Sequence, residues 1–461
     1  MPGKKPKRGR LHFLGITGHA MRGLADSARG LGYEVSGTDE GAYPPGTDWL
    51  DERGITWWRE SDPEHLKGVD QVIISGHVQA DHPELVAAEQ QDITVRSFPE
   101  LVADLVTDAR RIVIAGTHGK TTTASLVAWI LESAGRNPDY LIGIKPHNFD
   151  SSVRLTGSDV AVIEGDEYRA SQLDTKSKFA YYKPDVLVVT SVEMDHPDFF
   201  KDLGDISARF ETLVRDLPSG GQYVYWQGSE VAVRLAAGSP APAEAYDYSD
   251  AAWNATDLSF EPDGIHFTAV HDGENLGDVR VPLYGRHNAL NALAAIAVTK
   301  GEGVSFKDLQ EALQGFKGAS RRFDVVSDGP VRVLDDYAHH PTEVATTIEA
   351  AKLHFAGRVI AVFRPHTFSR TKTLLKEYQS AFKDADQAFV ADIEGAREAH
   401  LAATVSGEDI AKGAGELVAY VPQRSELLES VARAAQRGDT VLCMSVNGHD
   451  GFAAELAERL R

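Results

Sequence analysis

The run Ala115-Gly-Thr-His-Gly-Lys-Thr-Thr-Thr123 holds the residue types that grip phosphate. It lies between an apolar strand, Ile112–Ala115, and a helix expected over Thr121–Ala134. Backbone N–H groups of such a loop, together with the positive end of the helix dipole, wrap phosphate oxygens. Lys120 would supply a cation for the terminal phosphates and the Thr121 hydroxyl a ligand for Mg²⁺. Gly116, Thr117, His118, Gly119, Lys120, Thr121 and Thr122 are therefore the expected ATP contacts of the loop. The general pattern for such loops has its first glycine where Ile114 stands, so this is a shortened form.

Two acidic clusters, Glu164-Gly-Asp-Glu167 and Glu193-Met-Asp-His196, follow two more apolar runs, Val160–Ile163 and Val186–Thr190. Ligands of an open α/β sheet collect at the carboxyl edge of its strands, so both clusters are expected to face the phosphate loop. Mg²⁺ prefers oxygen ligands and keeps several waters, so one or two carboxylates plus ATP phosphates suffice. Thr121, Glu167 and His196 form the expected metal set, and Lys120, Glu167 and His196 the catalytic one. A second glycine turn, Gly15-Ile-Thr-Gly-His-Ala-Met-Arg-Gly23, resembles a dinucleotide fingerprint with Thr17 and Ala20 in place of two glycines. Asp39 follows the next strand at the point where an acidic residue reads a ribose or base edge. A nucleotide other than ATP is expected there.

These loops need sheets to position them. Strands from Leu11, Tyr33 and Gln71, with a helix over Met21–Leu31, alternate in the doubly wound manner. The polar stretch Asp108–Arg111 and the basic segment Lys317–Arg322 read as linkers. The expected architecture is α/β in three domains: a Rossmann-like domain over 1–108, a central P-loop domain over 109–318 and a Rossmann-like domain over 319–461. Antiparallel decoration is expected from Gly220 to Val281, then helices over His287–Lys300 and Leu309–Phe316. Strands are expected at Val331–Leu334, Val359–Phe363, Gln387–Ala391 and Thr440–Met444.

A chain of 461 residues with 42% hydrophobic and 25% charged residues is long and apolar enough to bury several cores. The net charge of −21 disfavours sequence-independent binding to nucleic acid or an anionic membrane, both of which attract basic patches. Cys443, the single cysteine, excludes an internal disulfide and leaves a structural zinc site without ligands, which fits a reducing cytosol. Five Lys/Arg lie in Met1–Arg10, but Leu11–Ile16 is too short for a signal core, and nothing approaches the roughly 20 apolar residues of a membrane span. An unstructured basic tail before the first strand is expected instead.

The phosphate loop, Glu164–Glu167, Glu193–His196, Gly285-Arg-His-Asn-Ala-Leu-Asn291, Arg321-Arg-Phe-Asp324 and Asp335-Asp-Tyr-Ala-His-His-Pro-Thr342 stand in the order of the Mur ligase motifs, and nearly the whole chain resembles that family. The resemblance implies an ATP- and Mg²⁺-dependent amide ligase of peptidoglycan synthesis, cytoplasmic, a monomer or homodimer. Its first domain would bind a UDP-sugar, its second ATP and its third the incoming amine. Gly15, Gly18, Asp39, Ser75 and His77 become UDP-sugar contacts by this resemblance. His287, Asn288, Asn291, Arg322 and Asp336 join the ATP side, while Tyr337, His339, His366 and Arg370 would hold the amine. The acceptor implied is UDP-N-acetylmuramate. Ala42-Tyr-Pro-Pro45, Asp166-Glu-Tyr168 and Lys176–Phe179 resemble members that attach the tripeptide L-Ala-γ-D-Glu-diaminopimelate. Asp335-Asp-Tyr337 and Phe363–Arg370 resemble members that take L-alanine. Since the amine docks on the third domain, L-alanine is the expected nucleophile and the tripeptide the alternative. Ser445-Val-Asn-Gly-His-Asp-Gly451 departs from both patterns. A non-catalytic nucleotide-binding regulator would have no use for Lys120, Thr121, Glu167 and His196 together.

Overall fold

Runs such as Val72-Ile-Ile and Val186-Leu-Val-Val are stiff at χ1 and pack well on a pleated surface, so they form strands. A computed structural model describes residues 8–396 and 398–461. Most of the expected basic tail lies outside the described residues, and Arg10, expected within it, already opens the first strand.

Packing gathers the chain into two units, Met1–Val192 with Ile206–Tyr246 and Ala294–Ala312, and Glu193–Asp205 with Asp247–Leu293 and Leu313–Arg461. The first unit holds two sheets. One has five parallel strands in the spatial order Thr56–Trp58, Glu34–Thr38, Arg10–Leu14, Gln71–Ile74, Thr94–Ser97. The chain winds outward to one side of Arg10–Leu14 and then to the other, which opens a switch-point crevice at the carboxyl ends of the central strands. A buried network braces that edge. Glu84, fully buried, accepts from Thr38 Oγ1 at 2.9 Å and lies 2.7 Å from His65 Nδ1 and 3.4 Å from His12 Nε2. Burial would raise its pKa, but the histidine partners outweigh that and hold it down at about 2.

The other sheet places Arg110–Ala115 between Val160–Gly165 and Val186–Val189, all parallel. Every side chain of Val186–Val189 is fully buried, worth about 1.5–3 kcal/mol each relative to exposure. Gln222–Trp226 and Ala243–Asp247 extend this sheet as parallel strands joined by the helix Glu230–Ala236, which corrects the antiparallel reading of that part. Tyr223-Val224 and Ala245-Tyr246 are buried, as covered parallel strands require, but their polar flanks hide the run in sequence. The antiparallel part is Trp253–Glu261, Gly264–His271 and Glu274–Val281, in the second unit.

The second unit also carries a six-stranded sheet ordered Asp324–Asp328, Arg332–Asp336, Thr440–Met444, Val359–Phe363, Gln387–Val390, Val418–Tyr420. Only the first of these is antiparallel. Val344, Ile348, Phe363 and Tyr378 fill one face of it, Leu427, Val431, Phe452 and Leu456 the other.

Candidate active site

Arg110–Ala115 ends in a backbone that needs glycine. Gly116 has φ +133°, and a Cβ there would lie 2.2 Å from Thr190 Oγ1 and 2.9 Å from the Ser191 backbone. The loop main chain thus packs directly on the end of the neighbouring strand, where Ser191 O accepts from Thr117 N at 2.8 Å and Ser191 Oγ from His118 N at 3.0 Å. Gly119 turns the chain in the left-handed region at φ +79°, and the helix Lys120–Ser133 begins. Thr122 sits on its first turn. Lys120 Nζ folds back to donate to Gly116 O, to Thr117 O at 3.2 Å and to Glu167 Oε2 at 2.9 Å. Burial alone would lower the Lys120 pKa, yet Glu167, Asp166 and Glu164 outweigh it and keep the ammonium charged.

The carboxylate beside Thr121 is Glu164. Thr121 Oγ1 donates to Glu164 Oε1 at 2.9 Å, and Gly143 N donates to Glu164 Oε2 at 2.6 Å. Glu167, the carboxylate expected from sequence as metal ligand, pairs with Lys120 and is 2% exposed. The first acidic cluster therefore faces the phosphate loop as expected. Glu193 to His196 belongs to the second unit. A glycine cradle that any Cβ would fill, a charged ammonium resting on carbonyl and carboxylate oxygens, and the all-oxygen set of Thr121, Glu164, Asp166 and Glu167 fit a nucleoside triphosphate with a hard divalent cation.

All five residues expected to meet a UDP-sugar line one cavity of about 1180 Å³, which also includes Glu164, Asp166, Tyr168, Arg169 and Lys178. Gly15 has φ +83°, and a Cβ there would lie 2.6 Å from Ser75 Oγ. Gly18 precedes the helix His19–Gly30, and His77 is exposed on the loop after Gln71–Ile74. Asp39 is engaged within its own turn. Its Oδ2 accepts from Thr17 N at 3.0 Å and from the Thr17 hydroxyl, and its Oδ1 accepts from Gly41 N at 3.1 Å. It clamps the glycine turn and so shapes the cavity.

In the second unit, Asn288 and Asn291 are buried near the start of the helix Arg286–Gly301, linked Asn291 Nδ2 to Asn288 Oδ1 at 2.8 Å, and Asn288 Nδ2 donates to Tyr284 O. His287 stands half-buried beside them. Asp336, at the end of Arg332–Asp336, accepts from Phe323 N at 2.6 Å and Ala338 N at 2.7 Å, so it holds two backbone turns. Arg322 and Arg321 lie over the Tyr337 ring at 5.2 and 5.5 Å. His340 and Glu343 cap the helix Pro341–His354 in a capping box. Arg370 was expected to reach an amino-acid carboxylate. It is 4% exposed, its Nε donates to Asp195 Oδ1 at 2.8 Å, and its Nη1 lies 3.3 Å from His366 Nδ1.

His339 is half-buried with Nδ1 3.0 Å from Tyr337 O, and desolvation pushes its pKa from 6.5 down to about 3. Burial likewise lowers His449 to about 4. A depressed folded-state value means stability that is present above the ordinary histidine range and lost as pH falls toward the folded value. The second unit should therefore weaken below pH 6.5, by at most about 1.4 kcal/mol per pH unit for each such histidine. Urea midpoints at pH 7 and pH 5 measure this, and His339→Gln should flatten the difference. An equal slope in the variant would show that His339 is not the group responsible.

Sequence reading missed Thr190 and Ser191, which brace the phosphate loop, and Glu164 as partner of Thr121. Their signal was position at strand ends flanking Arg110–Ala115. It also missed Arg169 in the cavity wall, and it marked Tyr168 and Lys178 only as parts of family-like segments, without placing them in that wall.

A glycine turn between strand and helix, an acidic strand edge beside it and a second crevice at a switch in strand order are the features expected of a nucleotide-dependent α/β enzyme. Family models agree: a Mur ligase family catalytic domain matches residues 10–110, a Mur ligase middle domain 114–299 and a Mur ligase glutamate ligase domain 321–447. The chain belongs to the Mur ligase family, whose members are amide-forming ligases. It is 35% identical to the UDP-N-acetylmuramate–L-alanine ligase of Symbiobacterium thermophilum, over 99% of this chain and 95% of the relative. It is also 35% identical to the UDP-N-acetylmuramate–L-alanyl-gamma-D-glutamyl-meso-2,6-diaminoheptandioate ligase of Escherichia coli, over 98% of each. The fold superposes on the crystal structure of the UDP-N-acetylmuramate–alanine ligase of Thermotoga maritima with a TM-score of 0.81 at 22% identity, covering 98% of this chain and 99% of that one.

Proposed function

We propose that this ligase joins L-alanine to the lactyl carboxylate of UDP-N-acetylmuramate, releasing ADP and phosphate. One observation carries the reading: the cavity built by Gly15, Asp39 and Ser75 has Glu164 in its wall, and Glu164 is hydrogen-bonded to Thr121 of the phosphate loop. A sugar nucleotide in that cavity lies next to the place where phosphate is held.

A carboxylate resists attack by an amine because its leaving group would be oxide. Bound ATP with Mg²⁺ supplies the γ-phosphoryl group that makes the lactyl carboxylate an acyl phosphate, from which the amine displaces phosphate. Little covalent chemistry falls to the protein, so its residues act by placing and neutralising anions. Gly116 to Thr122 hold the triphosphate. Lys120 exchanges the oxygens of Gly116, Thr117 and Glu167 for phosphate oxygens. Thr121, Glu164 and Glu167 would hold the metal, and His196, Asn288, Asn291, Arg322 and Asp336 are further proposed contacts of the metal and the nucleotide. Tyr337, His339, His366 and Arg370 receive the amine. No described helix is long and apolar enough to cross a membrane, and a cytoplasmic location supplies ATP.

ADP release with UDP-N-acetylmuramate tests the reading directly, comparing L-alanine, L-serine, glycine and the tripeptide. The highest kcat/KM is expected with L-alanine. The first two modules carry the tripeptide-like segments Ala42–Pro45 and Lys176–Phe179. A preference for the tripeptide would move this chain to that alternative, and no release with any amine would reject both.

A further inference from the structure

Arg22 stands on the first turn of the helix His19–Gly30, just after the glycine turn, and lines the same cavity as Gly15 and Gly18. The side chain is half-buried. Its Nη1 donates to Thr17 O at 3.2 Å and its Nη2 to His19 Nδ1 at 2.9 Å, both neutral acceptors. Among the described residues no carboxylate is its ion-pair partner, although the chain has 68 acidic residues against 47 basic ones. Arg10, Arg110 and Arg154 of the same unit each meet a glutamate, at 2.7, 2.7 and 2.5 Å. An arginine only donates, so His19 Nδ1 accepts and the proton of that ring sits on Nε2, a second donor on the same turn. A Cβ on Gly46 would lie 2.9 Å from Thr17 O and 3.1 Å from Arg22 Nη1, so the main chain of the next loop closes over the guanidinium and holds it against the turn. Burial, then the like charge of Arg53, pulls the Arg22 pKa below the ordinary guanidinium value, yet a guanidinium stays protonated in proteins.

A half-buried charge without a counter-charge is unfavourable, and an anion that arrives with a ligand relieves it. The planar fork of a guanidinium has five N–H donors and matches phosphate oxygens, and the protein itself engages only two of the five. In doubly wound sheets a diphosphate rests where the first strand passes through its glycine turn into a helix, which is where Arg22 stands. That helix has no acidic residue in its first turn to repel an anion. We infer that Arg22 holds the diphosphate of the sugar nucleotide, and that this contact sets the preference of the cavity for nucleoside diphosphates over nucleosides. The inference rests on the reading of the cavity as the sugar-nucleotide site.

The test measures binding to the full chain without ATP or metal, by titration calorimetry with UDP-N-acetylmuramate and UDP and by displacement with uridine. Arg22→Gln should weaken both diphosphates by about ten- to a hundredfold, as expected for lost charge-assisted bonds, and uridine by less than about twofold. Arg22→Lys keeps the charge without the fork. It should lose about fivefold for the diphosphates and leave uridine unchanged, and it carries the test if Arg22→Gln fails to fold. Arg53, like Arg22, lies over the Trp49 ring but does not line the cavity. Arg53→Gln should therefore leave all three affinities within about twofold, since a cation beyond contact is screened. Equal losses for uridine and UDP would overturn the inference by showing that Arg22 only supports the turn. Unchanged UDP affinity in Arg22→Gln, or an equal loss in Arg53→Gln, would overturn it as well. Failure of the unaltered chain to bind UDP-N-acetylmuramate or UDP would instead reject the sugar-nucleotide reading of the cavity.

Discussion

Lys120→Ala is expected to lower turnover by about a thousandfold while UDP-sugar affinity stays within about twofold. The ammonium is the cation that meets Gly116 O, Thr117 O and Glu167 at the head of the helix Lys120–Ser133, and Lys120 is not among the residues that line the cavity near Asp39. Removing it leaves Glu167 buried beside an empty phosphate loop, where its negative charge repels a triphosphate. Phosphoryl transfer depends on neutralising charge in the transition state, so kcat should fall far more than KM for ATP rises. Titration calorimetry with UDP-N-acetylmuramate and steady-state ADP release separate the two. Comparable loss of sugar binding would mean that the phosphate loop and the sugar cavity are not distinct functions.

The second large effect should come from Asp39→Ala. Its carboxylate accepts from Thr17 N, Thr17 Oγ1 and Gly41 N, and these bonds close the turn from Gly15 to Gly18 that forms one wall of the cavity. Hydrogen bonds to a charged acceptor contribute about 1.5–3 kcal/mol each. Losing them should raise the KM for UDP-N-acetylmuramate by about ten- to a hundredfold, with the KM for ATP unchanged because the bonds lost are to Thr17 and Gly41 of the sugar-side turn. An unaltered sugar KM would show that the turn holds its shape without the clamp. Asp39→Asn, which keeps one acceptor oxygen, should fall between.

Much of this site was legible because its chemistry is local in sequence. The phosphate loop needs Gly116, Gly119, Lys120 and Thr121 at fixed spacing on a strand-to-helix turn, and the turn stands where that spacing puts it. The crevice at Gly15, Asp39 and Ser75 follows from strand order, which periodicity gives. Partners across strands were not legible. Glu164 and Glu167 differ by three positions, and only the pleat of Val160–Gly165 and the path after it decide that one meets Thr121 and the other Lys120. Asp39 stands in the cavity wall, but its bonds to Thr17 and Gly41 were not legible, because spacing locates a carboxylate without showing which way its oxygens face. Arg370 was read as ligand-facing for its fork of donors, while the structure engages its Nε with Asp195, a residue 175 positions away. Glu84, His12 and His65 carry no motif, since a buried polar network is defined by who meets whom.

The account stands on one bond change: an oxygen of the acid leaves with phosphate. UDP-N-acetylmuramate labelled with ¹⁸O in both lactyl carboxylate oxygens, incubated with ATP, Mg²⁺ and L-alanine, reports it by mass spectrometry of the released phosphate. One ¹⁸O per phosphate formed is the predicted result. Unlabelled phosphate accompanied by amide product would contradict an acyl phosphate and with it the role given to the loop around Lys120.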